Sequence, residues 1–529
     1  MRNVRSRSVP ADRGAVGVFY AVILSAFFLA AAPLSAQTLS DRVVEHTLSN
    51  GLKVLMVERH QVPTISFQVT YRVGSTNEHS GITGVAHLYE HMAFKGTRTL
   101  GTSDYEKEKK VLDEMEKVNQ EIVREGAKGA EADPKRLAEL KKEFEALELE
   151  GRKWVVSNEL GDIYDRNGSV GFNATTGRDV TSYTVSLPSN RLPLWMAIES
   201  DRMANTVLRE FYKEREVVLE ERRRSVETNP SGKLFEAFLS ASFAAHPYGY
   251  PTLGWPSDVR ALSATRTAQF FKTYYAPNNT IISMVGDFKA TEVIPLLEKY
   301  FGGIPPGPPT PTVVTVEPPQ QGERRVEVEE EANPQLLIGY HKPDLHHPDD
   351  AVYDVIDSLL SLGRTSRLYK KLVEEKKLAI GVSSSSGTPG SQYPNLFTVS
   401  AIPRAPHTAP EVEEAIYAEL DRLKSEPPTE KELEKIITNI DAALVRSLRS
   451  NSGLAGQLAY FQAVAGDWRY ILKNREAVSR VTADDVMRVA RTTFTKKNRT
   501  VATLVKQEAP VTAEAGKPKA LPVGKEESR

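Results

Sequence analysis

The stretch "LSATRTAQFFKTYYAPNNTIISMVGD", residues 262–287, has a weaker second version in "VTADDVMRVARTTFTKKNRTVATLVK", residues 481–506, 219 residues further along the chain. Each reads as a helix with apolar residues at helical spacing, a turn containing Asn, and a run that fits a buried strand. A recurring helix–turn–strand unit predicts α+β architecture built as two homologous α/β halves. The length of 529 residues agrees, being too great for one ordinary domain. In the first half "GLKVLMVE" and "TISFQVTYRVG" are strand-like, and "GITGVAHLYEHMAF" then turns to helical spacing. The Pro/Gly-rich "GGIPPGPPTPTVVTVEPPQQGE", 302–323, breaks both periodicities. The expected order is therefore an N-terminal domain over 40–303, a linker over 304–323, a C-terminal domain over 324–507 and a polar tail over 508–529.

If the halves match, the helix containing His87 corresponds to "AVYDVIDSLLSLG", with Tyr353 opposite His87, and the first half carries about 47 extra residues. They fall in 104–158. Leu112, Met115, Asn119 and Ile122, then Leu137, Leu140, Phe144 and Leu147, form two apolar seams separated by glycines and by the helix start Asp133-Pro134. The segment reads as an antiparallel helical hairpin with solvated charged faces.

A net charge of −1 gives no overall field for nucleic acid, so none is expected as a partner. The absence of cysteine excludes disulfides, thiolate nucleophiles and Cys-ligated metal, leaving His and carboxylates as the strong ligands. The N-terminus is arginine-rich, then apolar over "AVGVFYAVILSAFFLAAAPL", then small at "LSAQ". That order is a secretory signal over 1–36 cleaved after Ala36, or else an uncleaved membrane anchor, and either reading places the protein outside the cytoplasm, periplasmic or secreted.

In "GVAHLYEHMAFKGT", 84–97, His87 and His91 are four apart and share a helix face, with Glu90 on the same side. Two neutral imidazoles can hold one zinc ion, and Glu90 stands where it can take a proton from a water on that ion. A catalytic zinc needs a third protein ligand. In "YKEREVVLEERRRSVE" the residues Glu214, Val217, Val218 and Glu221 make one stripe, whereas Glu216, Glu220 and Arg224 lie on the charged side. Carboxylates on an apolar face call for a partner. Glu221 as third ligand supported by Glu214 would supply one; two glutamates paired with nearby arginines is the competing reading. His346 and His347 are adjacent and diverge, so they read as a loop, and His246 in "AAHPYGYP" reads as a turn-packing residue.

The inverted order H-x-x-E-H resembles the pitrilysin–insulinase family of inverzincin peptidases. The resemblance extends through "SNGLKVLMVE", "VGSTNE", "GFNATTGRDVTSYTVSLP", "EREVVLEE", "HPYGYPTLGWPSDV" and "GRTSRLYKKLVEEKKLAIG", covering roughly 43–507. It implies a processing-peptidase-like fold, with His87, His91 and Glu221 as Zn2+ ligands, Glu90 as base and Glu214 as accessory glutamate. It implies too that Asn173 and Ala174 lie on a strand edge that pairs with the substrate peptide. Members enclose a chamber from four such domains, so a homodimer or a heterodimer with a homologous subunit is expected. Active relatives often carry an Arg and a Tyr where this chain has Val373 and Ile380, neither of which can donate to an oxyanion. The implied function is an exported zinc endopeptidase for peptides or unfolded polypeptides; the alternative is a metal-binding but inactive subunit or peptide-binding scaffold.

Overall fold

The computed structural model describes residues 39–506, so the expected leader and the polar tail lie outside the described residues. The short unit ending at Val44 shows one helical turn, Leu39–Arg42, among its described residues. From Glu45 onward the described chain is a single unit containing two sheets.

The first sheet comprises β1 (Val43–Thr47), β2 (Lys53–Glu58), β3 (Thr64–Tyr71), β4 (Val170–Thr176), β5 (Thr181–Pro188) and β6 (Thr280–Gly286), in the order β1-β2-β6-β3-β5-β4. The second comprises β7 (Arg324–Glu330), β8 (Gln335–Lys342), β9 (Ala379–Thr388), β10 (Asn395–Pro403) and β11 (Arg499–Lys506), in the order β7-β11-β8-β10-β9. From β2 onward the two orders are the same. In both, the last strand by sequence is parallel to the first of the repeat and antiparallel to the second.

Nine helices position the site and cover the sheets. In the first half these are α1 (Val85–Met92), α2 (Tyr105–Gly126), α3 (Pro134–Arg152), α4 (Phe211–Arg222), α5 (Pro230–Ser242) and α6 (Ala264–Tyr274). In the second they are α7 (Asp350–Ser361), α8 (Asn451–Val464) and α9 (Ala483–Thr493). The repeat seen in the sequence is α6–β6 against α9–β11, and it persists in single hydrogen bonds. Asn279 donates to the carbonyls of Tyr274 and Arg72, and Asn498, 219 positions later, donates to those of Thr493 and His341. In each half this one amide closes the helix end and ties it to the neighbouring strand.

The halves exchange helices. α5 of the first half packs on β7, β8 and β11, where Leu234, Phe238 and Leu239 join Leu396, Ala502 and Leu504 in one buried cluster. Gly339 of β8 makes this approach possible, because a Cβ there would stand 2.5 Å from Phe238 Cζ. Reciprocally, α8 of the second half lies on β3, β5 and β6, with Leu454, Ala455, Leu458 and Ala459 buried. Each sheet thus owes part of its apolar cover to the other half, and at ~1.5–3 kcal/mol per fully buried large apolar side chain that exchange binds them strongly. The segment 304–323 contains no helix or strand, and Glu317 within it accepts the N–H groups of Ala244, Ala245 and His246.

α2 and α3 pack as the anticipated hairpin, closed at its base by the Ser103 N–H on the Trp154 carbonyl. Asp104 and Asp133 cap the two helices, and Pro134 occupies the first turn of α3. Met115, Asn119 and Leu140 are buried in the seam, and Tyr212 of α4 completes it with an edge contact to Phe144. The hairpin therefore rests on α4 as well as on itself.

Candidate metal centre

α1 follows β3 and is buried along nearly its whole length. Its first free N–H groups are satisfied from outside the helix: Glu78 accepts from Gly84 and Ala86, both at 2.8 Å. Burial pushes the Glu78 carboxyl up to about 8, against those two bonds and the nearby Arg178. Glu78 was not singled out in the sequence; the signal available was a carboxylate six residues before Gly84, the residue that caps the helix start.

α4 lies against α1. The single-residue ligand atoms of His87, His91 and Glu221 all fall within 4.8 Å of one another. His87 Nε2 is 3.6 Å and His91 Nε2 3.4 Å from Glu221 Oε2, and the two imidazoles meet edge to face with centroids 4.8 Å apart. Two ligands each ~2.1 Å from one ion at a tetrahedral angle would stand ~3.4 Å apart, so both imidazole–carboxylate separations fit a zinc-sized cation. Glu214 supports it: its carboxylate is 3.4 Å from His91 Nδ1, which leaves Nε2 turned toward Glu221, and its other oxygen is 2.5 Å from Lys95 Nζ. His87 Nδ1 is buried with no hydrogen-bond partner among the described residues.

The surroundings treat the two imidazoles differently. Burial, helped by the neighbouring His91, pushes His87 down to about 4. Burial opposes the charged form of His91 too, yet Glu214 and Glu221 outweigh it and raise that group to about 9. Burial raises the carboxyl of Glu90 above its ordinary value, while the Thr176 hydroxyl, which donates to Glu90 Oε2 at 2.5 Å, opposes the rise. A carboxyl so placed has more proton affinity than a free one, as a general base needs.

Burial along α4 departs from the expected stripe. Glu214 and Val218 are buried, but Val217 is 43 % exposed and the Glu221 side chain 41 % exposed, so the buried row is Glu214, Val218 and Arg222. Convergence on the histidines, rather than burial, distinguishes Glu221. The competing arginine pairing belongs to other residues: Arg222 forks onto Glu236, and Arg223 and Arg224 hold the half-buried Glu220.

Arg209, also missed in the sequence, joins the parts. Its side chain is 1 % exposed and forks onto Glu108 of α2, and it donates to the carbonyls of Lys95, Thr97 and Leu100 in the loop that leaves α1. One guanidinium thus ties the exit of α1, the base of the hairpin and the start of α4.

β4 ends the first sheet's order and lies beside α1. On it Asn173 is exposed and Ala174 buried, paired with Thr184 and Tyr183 of β5. In the second half Ser386 of β9 donates to Asp354 of α7 at 2.6 Å, the counterpart of Thr176 on Glu90. Aligning the two bonds puts Ala351 and Val355 at the places of His87 and His91, so Ala351 rather than Tyr353 stands opposite His87. Tyr353 instead bonds Thr493 in the core. Val373 packs against the second core and Ile380 on β9 is 57 % exposed. His346 and His347 lie exposed in a loop, and His246 is buried and accepts the Tyr248 N–H.

Two repeated sheets and a His-His-Glu cluster with an adjacent carboxylate define a two-half α+β protein of the inverted-motif metallopeptidase type. The family model described as "Insulinase (Peptidase family M16)" matches residues 53–124 and 144–255, leaving out the hairpin tip, and the one described as "Peptidase M16 inactive domain" matches 261–440. The chain belongs to this insulinase family, M16. It is 27% identical over 470 residues to "Zinc protease PqqE" of Helicobacter pylori, covering 88% of this chain and 93% of the relative. It is 22% identical over 459 residues to "Uncharacterized zinc protease YmxG" of Bacillus subtilis, covering 86% and 96%. Among solved structures, a protease from Helicobacter pylori superposes with a TM-score of 0.73 at 27% identity, covering 87% of this chain and 99% of that one. The periplasmic protease PqqL of Escherichia coli has the same fold at a TM-score of 0.66 and 17% identity, covering 89% of this chain and 48% of that one. Among the described residues no helix is long and apolar enough to cross a membrane.

Proposed function

We propose that the protein is an exported zinc-dependent endopeptidase acting on peptides or unfolded polypeptides. His87, His91 and Glu221 hold the metal, Glu214 fixes His91, and Glu90 is the base. The observation that carries this reading is the convergence of two imidazoles and one carboxylate within 4.8 Å beside a carboxylate of raised proton affinity. A zinc ion bound there supplies Lewis acidity and lowers the pKa of water. Glu90 orients the attacking water, accepts its proton and delivers it to the leaving amine as the C–N bond breaks. The substrate lies along β4 as an added strand beside Asn173 and Ala174, and main-chain pairing makes selection by side chains weak. The division into domains 40–303 and 324–507 joined by 304–323, export by a leader over 1–36, and pairing with a second copy or a homologous subunit belong to the same proposal; the periplasmic location of one structural neighbour supports export.

A second reading, a metal-binding subunit that needs a partner for turnover, is favoured by Val373 and Ile380, which offer no hydrogen-bond donor. The test is purified wild type beside Glu90→Gln on a mixture of short peptides, with metal content measured. The peptidase reading expects about one zinc per chain in both proteins and cleavage by wild type alone. Full zinc without cleavage by wild type would move the assignment to the subunit reading.

A further inference from the structure

The equivalent hairpin loops of the two halves grip each other next to the base. The turn between β4 and β5, residues 177–180, is closed by the Gly177 N–H on the Val180 carbonyl. At its tip Asp179 is buried and accepts the Tyr248 hydroxyl at 2.7 Å and the N–H groups of Ser391 and Gln392 at 2.8 and 3.2 Å. Ser391 and Gln392 belong to the loop between β9 and β10, the same loop of the metal-free half. The fit is close: a Cβ on Gly390 would stand 2.6 Å from both Asp179 Oδ2 and the Tyr248 hydroxyl. At the root of the turn, three residues before Asp179, is Thr176, whose hydroxyl holds Glu90. The turn is also pinned to the chain that precedes α1, since the N–H groups of Ser75 and Thr76 bond the carbonyls of Gly177 and Arg178.

We propose that this turn is the positioning element through which the metal-free half acts on Glu90, with Thr176 as the positioning residue and Asp179 as the group the second half holds. The inference rests on the peptidase reading above. It assigns the second half a part in catalysis that needs none of its own residues at the metal. The bond of Ser386 to Asp354 provides an internal control. It joins strand to helix at the equivalent place, 2.6 Å long, where no metal cluster exists among the described residues. If such bonds only bolt helix to strand, both matter for stability alone.

The experiment uses the full chain and short unstructured peptides, measuring kcat, KM, zinc content and melting midpoint. Thr176→Val removes the hydroxyl and keeps the shape of the strand residue. It should lower kcat about 10–100-fold, with KM within about 3-fold and zinc near one per chain, and Thr176→Ser should restore most of the loss. Gly390→Ala, made in the other half, should lower kcat in the same direction with zinc unchanged. Ser386→Ala should lower the melting midpoint and leave kcat alone. The inference is overturned if Thr176→Val keeps its kcat, if it loses zinc in step with activity, if Ser386→Ala costs as much kcat, or if Gly390→Ala leaves kcat unchanged. Absence of turnover by wild type would instead sink the peptidase reading, and this inference with it.

Discussion

Substituting Arg209 by Met tests how the helices that bring His87, His91 and Glu221 together are held in register. The guanidinium directs all five N–H donors at protein acceptors, two at the Glu108 carboxylate and three at the carbonyls of Lys95, Thr97 and Leu100. Both side chains of the pair are 1 % exposed. Met keeps most of the apolar stem but leaves a buried carboxylate without its partner, which costs about 3–5 kcal/mol. Carbonyls left without a donor add about 1–3 kcal/mol each, not additively. The total approaches the ~5–15 kcal/mol that holds an ordinary domain together. Glu108→Leu/Arg209→Met removes the stranded charge, so the double variant should be more stable than Arg209→Met by about 2–4 kcal/mol. Urea unfolding of the wild type, both single variants and the double variant gives the cycle, and zinc affinity measured alongside reports on the ligand geometry. An Arg209→Met loss under about 1 kcal/mol, or a double variant no more stable than it, would refute the account.

Glu214→Ala should leave the fold intact and weaken zinc binding about 10–100-fold, read by competition with a chromophoric chelator, because His91 loses the carboxylate on Nδ1. Glu78 makes stability depend on pH. Its carboxyl is raised in the fold to about 8 from an ordinary 4.5, so the folded state holds this proton more tightly than the unfolded chain. The contribution is full below about 4.5 and is lost as pH rises through about 8, on the order of a few kcal/mol. Urea midpoints across pH 5–9 should therefore fall less in Glu78→Gln than in wild type; equal slopes would remove Glu78 as the cause. Glu90→Gln should retain zinc and lose cleavage, whereas Thr176→Val should retain zinc and keep a measurable fraction of it.

Much of this was legible in the chain because it is periodic or local. The α6–β6 repeat, the hairpin and its caps, and the shared face of His87, Glu90 and His91 follow from spacing along single elements. What failed to show was whatever depends on where elements meet. Val217 shares a helical stripe with Glu214 but is exposed, because α4 packs along the row Glu214, Val218 and Arg222. Tyr353 is not the counterpart of His87, because the loops before the two helices differ in length and the register is set by matching hydrogen bonds in three dimensions. Glu78 and Asp179 lie in the stretches "VGSTNE" and "GFNATTGRDVTSYTVSLP" and Arg209 in neither, and nothing along the chain assigns any of the three a role until its buried partners are seen.

The sequence by itself determined two similar halves, the place of the helical insertion, one inverted motif and therefore one candidate metal centre, since those are matters of period, spacing and residue type. The tertiary structure decided that each half roofs the other's sheet, that Glu221 reaches the two histidines, and that the metal-free half clasps the turn beside Glu90. The physical reason is range. Helical and strand patterns repeat within a few residues, whereas a fork between Arg209 and Glu108 or a clasp between Asp179 and Ser391 joins residues 101 and 212 positions apart. Burial makes breaking one side of such a pairing cost about 3–5 kcal/mol, and burial exists only once the chain has folded.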